Sequence, residues 1–258
     1  MGRGYRSRWL AGASDCARSI RFGSLRNGRH IAAQALRLPA LLSFLRELPS
    51  VGVPVSDESA GVFIAEHLSL RRWGIPRFRL AQGVLHLSDD FGTYLRGRRR
   101  QAVRTNTRRA RERGIQCGYV EFAAWKPSDR PDASSTNAER WTATDPAGDI
   151  VAEAWLVIDR QCALLYSLTS SVSDARWLLH VAIIDRLYRR GCPLLITNSF
   201  DVPLMPAGQQ HFQHLLGYTV GRLHVVRPAS DNRQASAPAR TRDRPTSQWV
   251  SRGRPTLP

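Results

Sequence analysis

The strongest hydrophobic pattern in the chain lies in 173-SDARWLLHVAIIDRLYRRG-191. Ala175, Leu178, Leu179, Ala182, Ile183 and Leu187 make one stripe at helical spacing, and Trp177, Val181, Ile184 and Tyr188 widen it. The pattern predicts a heavily buried helix, with Ser173 as its N-cap and Gly191 as its stop. Upstream, turn signals at DPAGD (145–149) and DRQ (159–161) cut 139–171 into strands at about 139–144, 150–158 and 163–169. Such short connections make neighbouring strands antiparallel, so the segment reads as a meander. Residues 193–199 follow the helix as a strand, and strand, helix and strand together form a crossover with a parallel or splayed pair. A short helix at 207–218 and a strand at 218–227 close the pattern. Before the meander, 84–87 and 115–122 read as brief strands, and the Pro-, Ser- and Asp-rich 123–138 as loop. Further upstream, Ile31, Ala35, Leu38, Leu42 and Leu45 predict a helix over 31–48 stopped by Pro49. Residues 51–83 are irregular, with one short helix at 59–67.

Between 84–87 and 115–122 stands 95-LRGRRRQAVRTNTRRARERG-114, with nine arginines against one acid, Glu112. Asp89 or Asp90 can cap a helix here and Gly114 can end it. Phe91, Leu95, Ala102, Asn106 and Ala110 fall near one face of such a helix, and the rest is mostly arginine. A narrow apolar stripe with a wide charged face is the pattern of a surface helix docked on a domain.

Composition widens the choice of partners. The net charge is +17, which favours anions: nucleic acid, phosphorylated cofactors or anionic lipid. Lys126 is the only lysine among the 38 basic residues, so the excess also carries the mark of a GC-rich coding sequence. No apolar run approaches the ~20 residues of a membrane-spanning helix. The cysteines at 16, 117, 162 and 192 form no close pair, which excludes a disulfide framework and points to the cytoplasm. The first thirty residues carry seven arginines and one acid; this resembles a transit peptide in composition and reads as a disordered basic extension. The Pro-, Ser- and Arg-rich 229–258 reads as a disordered basic tail. The expected organisation is a disordered 1–30, a helical and irregular 31–79, one α/β domain over 80–228, and the tail.

The order strand, arginine helix, strand, loop, meander, helix, strand, helix, strand resembles the GNAT acyltransferase fold, in the branch of FemAB-like and BioF2-like acetyltransferase domains. Two stretches carry the resemblance: 98-RRRQAVRTNTRRARERG-114, and the run from 165-LYSLTSS-171 through the 174–190 helix to 212-FQHLLGY-218. The order of elements that they belong to runs from 84 to 227. The resemblance implies a three-layer α/β fold, with a central mixed, mostly antiparallel sheet flanked by helices. It implies direct transfer of an acyl group, most simply acetyl, from acyl-CoA to an amine or hydroxyl acceptor. Some relatives use aminoacyl-tRNA as donor.

The resemblance also directs attention to the start of the 174–190 helix, where a strand feeds a buried helix. Unpaired N–H groups and the helix dipole there suit a pyrophosphate. Leu168, Thr169, Ser170, Ser171, Ser173 and Arg176 are the expected donor-binding residues. The loop has no glycine, where the family has a glycine-rich one. The edge of 166–169 is expected to pair with pantetheine. Candidate bases are Glu153 and Asp201. The tyrosine that serves as acid in many relatives is replaced by Gln213. His211 and His214 share a helix face but lack an evident third ligand, so no metal is expected. The alternatives are a nucleic-acid-binding basic protein using the arginine helix and both tails, and a non-catalytic binding module on the same fold. An acyltransferase is expected to bind nucleic acid only weakly and without sequence preference, mainly through the tails.

Overall fold

The computed structural model describes residues 43, 46–72, 75–76, 81–87, 90–197 and 207–227. The expectations for 1–30 and 229–258, and most of the 31–48 helix, lie outside these residues. Ser43, Arg46 and Glu47, at the end of that stretch, are helical.

In chain order the elements are β1 (Ser50–Pro54), α1 (Ser59–Ser69), β2 (Arg71–Arg72), β3 (Ile75–Pro76), β4 (Ala81–His86), α2 (Phe91–Tyr94), α3 (Gln101–Glu112) and β5 (Gln116–Trp125). They continue with β6 (Thr136–Thr144), β7 (Ile150–Ile158), β8 (Ala163–Ser170), α4 (Ser173–Arg189), β9 (Leu194–Thr197), α5 (Ala207–Leu216) and β10 (Thr219–Val226). Eight strands form one sheet in the order β1-β10-β4-β9-β8-β7-β6-β5, and β2 and β3 form a separate pair. The β1–β10 and β8–β9 pairs are parallel and the other neighbours antiparallel. Helices cover both faces. On one, Val103 and Ala110 of α3, the apolar stripe of α4, and Phe212 and Leu216 of α5 pack on Leu85, Trp141, Ala154, Leu156, Leu165 and Leu195. On the other, Ala60, Phe63, Ile64 and Leu68 of α1 pack on Val53, Val84, Val157, Leu164 and Ile196. This is the mixed α/β, three-layer architecture expected of a GNAT-like fold.

The expected meander is present and longer: β5 joins it across the 126–135 connection, pairing antiparallel with β6. The crossover β8–α4–β9 is parallel, with Ala163 opposite Leu195 and Leu165 opposite Thr197. The short β2–β3 pair was not expected, nor was β1. Ser50–Pro54 is short and ends in proline, yet its Val53 is fully buried and the strand adds to the sheet beside β10.

The arginine segment differs from the single helix predicted for it. Asp90 caps α2, accepting from the Thr93 amide at 3.0 Å and its hydroxyl at 2.6 Å. The helix then stops, because Gly97 takes φ +85°, a conformation that helical residues do not adopt. A 3-10 turn at Arg98–Arg100 leads into α3. The break resets the helical phase. The buried positions of α3 are therefore Val103, Thr107 and Ala110, in place of the expected Ala102, Asn106 and Ala110 stripe. Among the described residues no helix is long and apolar enough to cross a membrane.

Candidate functional site

β8 is the element around which the site is organised. Among the described residues its parallel pairing with β9 ends at Leu165–Thr197, while β8 itself runs on to Ser170. The β7–β8 register shifts between Trp155 and Leu156, which leaves Tyr166 as the extra residue of a bulge. A bulge bends its strand and re-aims the chain beyond it. From Ser167 to Ser170 the strand is held by β7, with Thr169 opposite Glu153 and Ser170 opposite Ala152.

Two polar side chains sit near the last described pair of β8 and β9, Leu165–Thr197. Thr197 and Gln213 are almost fully buried, and a Cβ added at Gly83 would lie 2.9 Å from both Gln213 Oε1 and Thr197 Oγ1. Glycine at 83 therefore leaves room for both side chains, and Thr197 Oγ1 donates to Gly83 O at 3.4 Å. Deeper in the core, His180 Nε2 and the Tyr218 hydroxyl are 2.8 Å apart. Burial, with Arg176 nearby, pushes His180 down to about 3, and burial raises Tyr218 well above its usual value. Both are therefore uncharged at neutral pH. Sequence reasoning missed Thr197 and His180 as polar members of the interior; the signal was a polar residue inside an otherwise apolar stripe.

The serines expected to offer hydroxyls to phosphate are otherwise engaged. Ser170 Oγ donates to the carbonyls of Val151, at 3.2 Å, and Val172. Ser171 Oγ donates to Val151 O at 3.2 Å, and the Ser171 amide donates to the same oxygen at 3.0 Å. The expected N-cap also moves by one residue. Val172 occupies the cap position without a side-chain bond, and Ser173 opens the helix itself. Thr169 is exposed, and Leu168 packs partly against the core of the α4 face.

What remains available at the start of α4 is the free N–H groups of the first turn and Arg176. The Arg176 guanidinium lies 4.2 Å from the centre of the Phe212 ring, and its Nε is buried without a hydrogen-bond partner. Desolvation by burial lowers its pKa. A cation at the positive end of a helix is electrostatically unfavourable, and among the described residues no acid pairs with it. Asp174, in the same turn, is bound by Arg113 of the α3 C-terminus at 3.0 Å.

The sequence-predicted bases have different fates. Glu153 lies on β7 beside Thr169, and its Oε1 accepts from Arg140 Nε at 2.9 Å and Trp155 Nε1 at 3.1 Å. Asp201 lies outside the described residues. His211 is exposed and His214 half-buried on α5, and no group of three or more His, Cys, Asp or Glu side chains among the described residues is placed to hold a metal. Burial pushes the thiols of Cys117 and Cys192 up to about 12 and about 11, so neither is an activated nucleophile.

The arginines of 96–113 divide by occupation. Arg100 donates to Leu215 O at 2.8 Å, at the carbonyl end of α5, and its guanidinium fills the space where a Cβ of Gly217 would be. Arg104 donates to Leu95 O and Gly97 O, bracing the break before α3. Arg108 pairs with Glu112 and Arg113 with Asp174. Arg98, Arg99 and Arg109 instead line a groove of about 510 Å³ with Gln101, Thr105 and Asn106, and among the described residues no acid pairs with them.

Solved structures resemble this fold. The C-terminal domain of a protein assigned as a lysylphosphatidylglycerol synthetase, from Agrobacterium fabrum, aligns at 12% identity and a TM-score of 0.39, over 55% of this chain and 58% of that one. L-PGS from Bacillus licheniformis aligns at 10% identity and a TM-score of 0.39, over 55% and 57% of the two chains. A conserved protein of unknown function from Staphylococcus epidermidis gives 10%, 0.32, 55% and 57%. This chain spans less than three-fifths of each, and likenesses this shallow transfer neither an activity nor a site. No family model matches the sequence, and no curated protein does.

Proposed function

We propose that this chain is a transferase of the FemAB-like GNAT type, working in the cytoplasm. It moves an acyl group, acetyl in the simplest case, from acyl-CoA directly to an amine or hydroxyl acceptor. The observation that carries the reading is the bulge at Tyr166, beyond which β8, held by β7, delivers the chain into the first turn of α4. A strand re-aimed in this way suits the amides of a pantetheine arm. The first-turn N–H groups and the unbalanced Arg176 suit its pyrophosphate.

In the transfer, the acceptor nitrogen or oxygen attacks the thioester carbonyl carbon. The C–S bond breaks, a base takes the acceptor's proton, and the departing thiolate is protonated from solvent. Glu153 is the proposed base, because register places it beside Thr169 and two donors fix its Oε1. Asp201 is the second candidate. The test is turnover of acetyl-CoA by the full chain with a panel of primary amines. Glu153→Gln should lower kcat about 100-fold or more and leave acetyl-CoA affinity unchanged. An unaltered kcat would remove Glu153 from the mechanism, and a wild-type chain that binds no acyl-CoA would remove the donor.

The α3 groove favours a second reading, in which Arg98, Arg99 and Arg109 hold the phosphates of a polyanion such as RNA. Its mark is affinity that falls steeply with salt, by a slope of about −0.7 per contact on single strands.

A further inference from the structure

The sheet ends on one side at β5, and this edge is unlike the other. β1, at the far edge, is five residues long, half-buried and closed by Pro54. β5 has ten residues, QCGYVEFAAW, with no proline, no lysine and one charge, Glu121. Every residue from Gly118 to Ala124 is exposed. Tyr119, Val120 and Phe122 are among the few large hydrophobic side chains exposed in the described residues, and Val120 is 62% exposed. Pairing with β6 is uninterrupted from Gln116 to Phe122. It is then broken by the irregularity at Ala124, where φ is +53°. A long, flat edge of this kind presents a row of unpaired N–H and C=O groups, which only another extended strand completes.

The charges around β5 identify the occupant. On one face Arg186 and Arg190 are paired with Glu121 and Glu139, and Arg189 with Asp185. On the other, Arg140 is paired with Glu153. In a chain of net charge +17, this is a surface whose arginines are already balanced. Apart from Arg111 near Cys117, the described arginines around β5 are paired, so the edge is poor in free cations for a polyanion and repels a second copy little. The strand is also compatible with itself. Antiparallel pairing centred on Tyr119 uses the whole Gln116–Phe122 run. It sets Tyr119 opposite Tyr119, Val120 opposite Gly118, and Glu121 opposite Cys117, so no like charges meet.

We propose that β5 pairs edge to edge with β5 of a second copy of this chain, joining two eight-stranded sheets into one across a twofold axis at Tyr119. Sedimentation of the nuclease-treated full chain at tens of micromolar in 0.5 M salt tests it. The wild type should sediment as a dimer. Val120→Lys changes an exposed side chain and puts a charge on the shared edge; it should weaken dimerisation at least tenfold with unchanged circular dichroism. Tyr119→Cys should form an interchain disulfide under mild oxidation, which the wild type does not. A monomeric wild type overturns the proposal. So does a Val120→Lys chain that stays dimeric, or an association that disappears on nuclease treatment and returns with RNA. Should Val120→Lys fail to fold, cross-linking of Tyr119→Cys decides alone, and its absence overturns the proposal.

Discussion

Arginine is used differently at the two ends of α4. At the C-terminal end, Arg186 and Arg190 both reach Glu139, at 3.2 and 3.0 Å, and Trp141 donates to the same carboxylate at 2.9 Å. At the start, Arg176 has no acid, and across α3 the groove arginines Arg98, Arg99 and Arg109 have none among the described residues. The first region is internally balanced and ties α4 to β5 and β6. In the second, Arg176 at the α4 start and the separate groove arginines are left without an acid among the described residues. Net charge alone says nothing of this division. Occupation does: a guanidinium already bonded to protein is structural, and one left without a partner beside helix N–H groups is available to an anion.

The largest effect expected from breaking this contrast is at Glu139. Glu139→Ala leaves the Trp141 indole N–H without its acceptor and removes the shared carboxylate from two arginines. Those arginines are partly exposed, which reduces the cost. The expected loss is about 2–3 kcal/mol, read as a lowered denaturation midpoint at unchanged m-value. Next comes the pairing of Arg100→Ala with Arg109→Ala. Arg100 caps α5 and lies 4.9 Å from the Tyr94 ring, so its loss should cost about 1–2 kcal/mol. Arg109→Ala should change stability by less than about 0.5 kcal/mol and lower polyanion affinity instead. Equal destabilisation by the two would erase the distinction between occupied and free arginines.

A separate effect, outside the arginine contrast, is pH dependence at His180. Its folded pKa is depressed to about 3 from an ordinary 6.5, so the folded chain holds it neutral while the unfolded chain protonates it. Its contribution is complete above about 6.5 and is lost as pH falls toward about 3, by at most about 1.4 kcal/mol per pH unit. His180→Gln should flatten that part of the urea-midpoint profile; an identical slope would show that His180 is not the group responsible.

Much of the fold was legible because its elements state their own limits. The α4 stripe between Ser173 and Gly191, and the strands between DPAGD and DRQ, each carry a period and a punctuation mark. β1 was not legible, since five residues ending in proline hold no period and are a strand only because β10 accepts them. The break at Gly97 was hidden for a related reason: an arginine-rich run reads as helix through any single glycine. The site was legible in place but not in contact. The sequence points to 168–176, and no sequence rule shows that the Val151 carbonyl takes the hydroxyls of Ser170 and Ser171. That bond depends on which β7 residue lies beside the loop.

In the proposed reaction an acyl-CoA pyrophosphate lies over the first turn of α4, against Arg176. Titration calorimetry of acetyl-CoA into the wild-type chain and Ser171→Asp tests it directly. Ser171 is exposed and precedes the helix, so the substitution adds a negative charge without opening the core. Two unit charges ~4 Å apart interact by about 4 kcal/mol at an effective dielectric of ~20. Exposure and salt reduce this to an expected loss of about 1–3 kcal/mol, or roughly ten- to a hundredfold in affinity. The expected result is that loss of affinity, with the thermal midpoint lowered only by the lost bond from the Ser171 hydroxyl to Val151 O. Equal binding by both chains would place the donor elsewhere, and no binding by either would contradict a CoA donor.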